Sequence, residues 1–271
     1  MQALVSIIMP AYNAAKYVGA AIQSVLDQSY NQWELIIVND GSRDNTDAVI
    51  RQFSDDRIVY FEQENMGVSG ARNKALSVMR GDYFCFLDAD DLMPTNSISS
   101  RIEKFRMEPN LSFVDGKVIY KNADLSEILK IYLPSFNGEP FDELVQLKDT
   151  CLFGNTWMVK NEPNIQYVFT PGLTHAEDLS FYLSISKGRK YSFVEDEVLW
   201  YRRTGNSAMT NLKGLENGYV HVYHLVKDLG VSTHRLNYLK RRITRIMSLS
   251  WLIDAKNPIQ SVLSFFRMLR L

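Results

Sequence analysis

Short apolar runs alternate with amphipathic stretches along residues 4–107. Leu4–Met9 (LVSIIM) reads as a buried strand, stopped by Pro10 and the polar turn Tyr12-Asn13. Val18, Ala21, Ile22, Val25 and Leu26 then recur at helical spacing, up to Gln28-Ser29. Trp33–Val38 (WELIIV) is a second strand, apolar enough for both faces to be covered. It ends in Asn39-Asp40-Gly41-Ser42, where Ser42 or Asp44 is placed to cap a helix running to about Phe53. Arg57–Phe61 predicts a third strand and Gly67–Met79 a third helix. Tyr83–Leu87 follows as a fourth strand, then a helix from about Pro94 to Met107, with proline in its first turn.

Four strand–helix alternations predict an α/β fold built on a doubly wound, mostly parallel sheet. Right-handed crossovers would place the strand ends on one rim. Pro10–Asn13, Asn39–Ser42 and Asp88–Asp91 are then neighbours in space although distant in sequence. The second half is less regular. Leu111–Tyr120 reads as a strand, Asn122–Pro140 as a loop, and Cys151–Lys160 as a mixed segment around Trp157. A helix over Thr174–Lys187 and a strand over Tyr191–Tyr201 follow. From Asn211 the pattern is helical, which predicts a core domain over residues 1–205 and a helical C-terminal extension over 206–271.

Charge changes this picture in one place. The formal net charge is −1, which excludes a nucleic-acid binder acting through bulk charge. Yet Arg235–Leu271 holds eight basic residues against one acid, leaving 22 basic and 30 acidic groups in the rest. A basic tail on an acidic body points to an interaction surface. No basic leader opens the chain, no apolar run reaches the length of a membrane span, and Cys85 and Cys151 lack metal-ligand spacing. These features predict a cytoplasmic protein.

The stretch GDYFCFLDADD concentrates the candidate chemistry. Its apolar strand breaks into Asp88, Asp90 and Asp91 within four residues, at the end where α/β sheets bind ligands. One acid would suffice to cap the next helix, so a divalent cation and phosphate are the better account of three. Asp40 is a turn residue that could also accept the imide N–H of a uracil. Arg72 follows the weak glycine motif GVSG and could reach a diphosphate, or be an ordinary surface arginine. Thr174 and Glu177 match a capping box, which leaves Asp178 as a candidate general base. His175 reads as structural or peripheral, and Trp157 as either a stacking platform or a core residue.

VSIIMPAYNAAKYVGAAIQSVLDQSYNQWELIIVNDGSRDNT, ENMGVSGARNKAL, GDYFCFLDADD and AEDLSFYL together resemble glycosyltransferase family 2, in order and spacing. The likeness is strong over residues 4–105 and weaker over 170–205. It implies a GT-A fold, a nucleotide-sugar donor (most often a UDP-sugar), a divalent Mn²⁺ or Mg²⁺ ion and inversion at the anomeric carbon. By that resemblance Pro10, Ala11 and Tyr12 border the nucleoside, Asp40 binds the base, and Arg72 assists the nucleotide or diphosphate. Asp88 contacts ribose or sugar, Asp90 and Asp91 hold the metal, and Asp178 is the catalytic base. Family members often carry an Arg-x-His pair after the last strand; here Tyr201–Ser207 (YRRTGNS) has no histidine, and Arg202 or Arg203 is the substitute cation.

The expected acceptor is a hydroxyl of a glycan or lipid-linked glycan in surface polysaccharide synthesis. Competing readings are a nucleotidyltransferase and a catalytically silent glycan-binding homologue. A dinucleotide-dependent dehydrogenase is disfavoured, because Pro10–Ala15 lacks G-x-G-x-x-G. In the tail, Leu236, Leu239, Ile243, Ile246 and Met247 form a helical stripe among Lys240, Arg241, Arg242 and Arg245. Such a segment suits peripheral docking on an anionic membrane, packing on the catalytic domain, or a homodimer contact.

Overall fold

The computed structural model describes residues 2–204, 211–269 and 271. The first half follows the predicted alternation: β1 (Val5–Ala11), α1 (Val18–Leu26), β2 (Trp33–Asp40), α2 (Thr46–Ile50), β3 (Ile58–Gln63), α3 (Gly67–Leu76), β4 (Tyr83–Phe86) and α4 (Ser97–Met107). Next come β5 (Leu111–Lys121), β6 (Ile128–Tyr132), α5 (Phe141–Val145), β7 (Met158–Lys160), α6 (Glu177–Ser186) and β8 (Lys190–Arg202). Three helices close the chain, α7 (Leu212–Asp228), α8 (Thr233–Leu249) and α9 (Pro258–Leu269), with a π-helical turn at Ser250–Asp254.

The strands form one sheet in the order β3-β2-β1-β4-β7-β5-β6, with β8 paired to β5. β1 runs parallel to both β2 and β4, and β2 parallel to β3. The short β7 is antiparallel to β4 and β5, while β8 is parallel to β5. Alternate side chains of the central strands feed opposite layers, as a period of two requires. Ile7, Met9, Leu35 and Ile37 pack with α1, α2 and α4. Ile8, Ile36, Val38, Phe84 and Phe86 pack with α3, α5 and α6. All eight residues of β2 are buried, which explains its nearly uninterrupted apolar sequence.

Three expectations need correction. The segment read as a loop over Asn122–Pro140 contains β6, which is hydrogen-bonded to β5. Four of its five residues are exposed, so no hydrophobic alternation marks it. The helix expected from Pro94 begins at Ser97, because Pro94–Ser97 closes a turn, with the Ser97 N–H donating to the Pro94 carbonyl. The helix after β2 has Asn45 at its N-cap position, without a side-chain cap bond; of the two predicted caps only Asp44 serves, its Oδ1 accepting from the Thr46 N–H at 3.0 Å. Ser42 Oγ and the other Asp44 oxygen, Oδ2, bind the β1–α1 loop.

The C-terminal helices share the core beneath α3 and α6. Leu215, Val222, Val226, Leu239, Ile243, Met247 and Met268 are buried in that cluster, so packing on the catalytic domain is one role of the predicted stripe. The proposed boundary between 205 and 206 lies outside the described residues, as do Gly205–Ser207 of the YRRTGNS motif. Among the described residues no helix is long and apolar enough to cross a membrane.

Candidate active site

The sheet order brings the predicted rim together. β1 lies between β2 and β4, with Ala11 opposite Asn39 and Ile8 opposite Phe86. The loops that follow these strands are therefore adjacent. They are also cross-tied: Asn13 N–H donates to Ser42 Oγ (2.9 Å), Ala14 N–H to Thr46 Oγ1 (2.8 Å), and Ala15 N–H to Asp44 Oδ2 (3.1 Å). Arg43 N–H returns a bond to Asn13 Oδ1 (2.8 Å). Asn13 holds a left-handed backbone conformation (φ 49°), which asparagine tolerates better than most residues.

On this rim Tyr12 stands half exposed, Pro10 is part-buried, and the Ala11 methyl is buried in the α1 layer. Asp40 is buried, and its Oδ1 accepts from Gln63 Nε2 (2.7 Å) and Met66 N–H (2.9 Å). Both bonds fall on one oxygen and aim the carboxylate. Asp40 thus ties the end of β2 to β3 and to the start of α3.

The acidic strand end divides its three carboxylates. Asp88 is nearly half exposed and accepts from Arg72 Nη2 at 2.9 Å. Asp90 is part-buried, and burial together with the Asp88 charge raises its pKa. Asp91 is buried, its Oδ1 accepting from Arg202 N–H at 2.7 Å. Burial and then the charges of Asp90 and Asp88 raise its pKa well above the ordinary carboxylate range. Arg202 clamps the same loop: Nε donates to the Asp90 carbonyl (2.7 Å) and Nη1 to the Ala123 carbonyl (2.6 Å). This guanidinium holds the loop's backbone, whereas Arg203 is exposed. Among the described residues no cluster of three or more His, Cys, Asp or Glu has the geometry of a complete metal cage. A cation that retains phosphate and water ligands needs only one or two carboxylates, and this donor set fits that case.

Arg72 is not a surface arginine. It is buried on α3, beneath the rim, between Asp88 and Glu177 (3.3 Å), over the Phe169 ring at 5.2 Å. Asn155, its amide turned so that the oxygen faces the guanidinium, accepts from Nη1 and Nη2 at 3.0 Å. Arg72 thus joins the acidic strand end to the start of α6. Glu177 is held by this pair and not by a capping box. The N-cap of α6 is Ala176, without a side-chain cap bond, and Thr174 Oγ1 meets His175 Nδ1 instead (2.9 Å).

Asp178 follows on the same first turn. Its Oδ1 accepts from Leu179 N–H at 2.7 Å, and the Gly154 backbone lies close enough that a Cβ there would sit 3.5 Å from Oδ2. Burial, then the neighbouring Glu177 charge, push its pKa up to about 6, against the opposing pull of Arg72. Arg72→Met is accordingly expected to cost about 2–3 kcal/mol of stability by stranding two carboxylates. It should also move the Asp178 titration to higher pH. A denaturant melt reads the first effect and a pH–rate profile the second.

Three contributors had no signal in the sequence. Asn155 lies in an irregular segment. Gly214 and Gly218, one turn apart on α7, admit the segment before Asp178. A Cβ on Gly218 would fall 2.4 Å from the His175 carbonyl oxygen, and one on Gly214 would fall 2.4 Å from the His175 ring. Ala176 meanwhile adopts a left-handed φ of 56°, a strained state for alanine that this packing sustains. His175, read as structural or peripheral, is buried. Gly218→Ala is expected to lower stability by about 1–3 kcal/mol through overpacking, with a parallel loss of turnover. Thermal melts and initial rates test this. Trp157 is a core residue, fully buried, its ring tilted against Tyr182 (centroids 4.2 Å apart) and its Nε1–H donating to the Cys151 carbonyl.

A mostly parallel sheet with Asp40 and the acidic strand end on one rim, and the start of α6 joined to that rim through Arg72, is the arrangement of a GT-A fold. The family model for Glycosyl transferase family 2 matches residues 6–167, and the chain belongs to that family. It is 31% identical over 254 residues (87% of this chain, 96% of the relative) to Escherichia coli WfgD, named a UDP-Glc:alpha-D-GlcNAc-diphosphoundecaprenol beta-1,3-glucosyltransferase. In structure it resembles S. aureus TarS in complex with UDP-GlcNAc, with TM-score 0.73 and 14% identity over 99% of this chain and 80% of that one. It also resembles a Pyrobaculum calidifontis mannosyltransferase in complex with GDP-Man and Mn²⁺, with TM-score 0.61 and 17% identity over 99% of this chain and 81% of that one.

Proposed function

We propose that the protein transfers a sugar, with inversion, from a UDP-sugar to a hydroxyl of a lipid-linked glycan during surface polysaccharide synthesis. The observation that carries this reading is the placement of Asp178. Its carboxyl, with the pKa pushed up to about 6, lies next to Glu177, which Arg72 bridges to Asp88 of the acidic strand end. The name of the E. coli relative supports the donor and acceptor, since it pairs UDP-Glc with a diphosphoundecaprenol-linked sugar and a β linkage.

In this reading Tyr12 and the backbone of Pro10 and Ala11 border the nucleoside, and Asp40, aimed through Oδ1, offers Oδ2 to the imide N–H of the base. Asp88 contacts the ribose or sugar, and Arg72 holds Asp88 in place beneath the diphosphate. Asp90 is the main metal ligand; Asp91, committed through Oδ1 to Arg202, has only Oδ2 to add. A bound Mn²⁺ or Mg²⁺ ion would neutralise charge on the departing diphosphate. Asp178 takes the acceptor hydroxyl proton as that oxygen bonds to the anomeric carbon and the carbon–phosphate-oxygen bond breaks. One positioned base suffices for a single displacement, unlike the paired carboxylates of glycoside hydrolysis.

Calorimetric titration with UDP, GDP and dTDP in the presence of Mn²⁺ tests the donor, with UDP expected to bind tightest. The anomeric coupling of the product, read by NMR, tests inversion. A product that keeps the donor's anomeric configuration would overturn the mechanism.

A further inference from the structure

The tail contains a surface that its packing does not use. α9 places only Ser264 and Met268 fully against the protein. Its remaining apolar side chains face outward: Ile259 is 72% exposed and Phe266 56%, with Val262, Leu263, Phe265 and Leu269 also exposed. Leu252 and Ile253 on the preceding π-helical turn extend the same exposure. A helix that buries a serine and displays two phenylalanines has its apolar face turned away from its own domain.

A groove of about 600 Å³ runs between this helix and α8. Its α9 wall is Phe265 and Leu269; its α8 wall carries Lys240, Arg241 and Arg245, and no acid lines it among the described residues. Lys240 is tied to the Leu269 carbonyl at 2.8 Å. Arg241, the adjacent Arg242 and Arg245 are exposed and make no ion pair among the described residues. Arg235 and Arg267 differ: each is neutralised, by Asp142 and Glu216 respectively. Of the unpaired cations, Arg241 and Arg245 line the groove beside the exposed apolar face.

We infer that α8, the π-helical turn and α9 form a docking surface for an anionic phospholipid bilayer, with headgroup phosphates at Arg241 and Arg245 and the α9 side chains in the acyl boundary. A basic rim beside an outward apolar helix is complementary to a leaflet that is negative at its surface and apolar beneath. A second copy of the chain suits it less well. A two-fold contact sets the same patch against itself and would bring the arginine rims together. The inference concerns a surface separate from the transfer chemistry, and it places the enzyme where a lipid-linked acceptor resides.

Sedimentation of the full chain tests it, with vesicles of phosphatidylcholine alone and of equal parts phosphatidylcholine and phosphatidylglycerol. Binding is expected to the anionic vesicles, weakening as NaCl rises from about 0.1 to about 0.5 M. Arg241→Gln combined with Arg245→Gln should weaken it about 25-fold, fivefold per lost cation. Phe266→Ser should weaken it at both salt concentrations. All three positions are exposed, so thermal melts and transfer to a water-soluble acceptor should match the wild type. Failure of that transfer in the wild type would count against the catalytic reading and not this one. No wild-type binding to anionic vesicles, or binding unaffected by these substitutions, would overturn the inference. Self-association in the ultracentrifuge that Phe266→Ser abolishes, without vesicle binding, would assign the face to a second copy and overturn it equally.

Discussion

Asp178→Asn is expected to reduce kcat by about 10²–10⁴ while leaving donor affinity by calorimetry unchanged. Only the ionised carboxylate can accept the acceptor's proton, and burial with the Glu177 charge keeps Asp178 protonated below about pH 6. Wild-type kcat/KM should therefore rise with pH through about 6 and level off above it. The acid limb should vanish in the variant. A stability effect of opposite sign should accompany the loss. The folded pKa lies above the ordinary carboxylate value, so stability from this group is fully present below about pH 4 and is lost as pH rises through about 6. Asparagine keeps the oxygen that accepts from Leu179 and cannot ionise. The variant should thus melt higher than wild type at pH 8 and no higher at pH 4. A fully active Asp178→Asn enzyme with an intact acid limb would place the base elsewhere.

Asp90→Asn is expected to abolish metal-dependent transfer, a loss of about 10³-fold or more, since charge neutralisation at the leaving group contributes several kcal/mol. Calorimetry should show Mn²⁺ affinity lost in the presence of UDP. The same substitution at Asp91 makes the comparison informative. Asp91 is buried, with one oxygen held by the Arg202 N–H, and asparagine retains that acceptor. Asp91→Asn should therefore be the milder variant. If it proves the more severe, Asp91 is the main ligand and Asp90 its support.

The site was unevenly legible. Asp40, Asp88, Asp90 and Asp91 stand at strand ends, where an apolar run stopping at a polar residue marks the position directly. Arg72 was visible as a residue but not in its role: a helical arginine at low apolar periodicity looks the same whether it faces solvent or a buried pair of carboxylates. Glu177 was misread, because a capping box depends on the backbone angle of Ala176, and the turn there is left-handed. Asn155, Gly214 and Gly218 act through contacts across 39 to 83 residues of chain and leave no local pattern.

The alternation of apolar runs and amphipathic segments by itself determined the parallel half of the sheet, its helices and the rim on which the acids gather. Strand and helix periods are local properties, and the crossover rule converts them into neighbours. Which carboxylate faces solvent, which is locked to Arg202, and which has its pKa raised by burial was decided only by tertiary structure. Charge state and direction depend on desolvation and on partners brought from β8, α6 and the loop before β7, and these are set by packing of the whole chain.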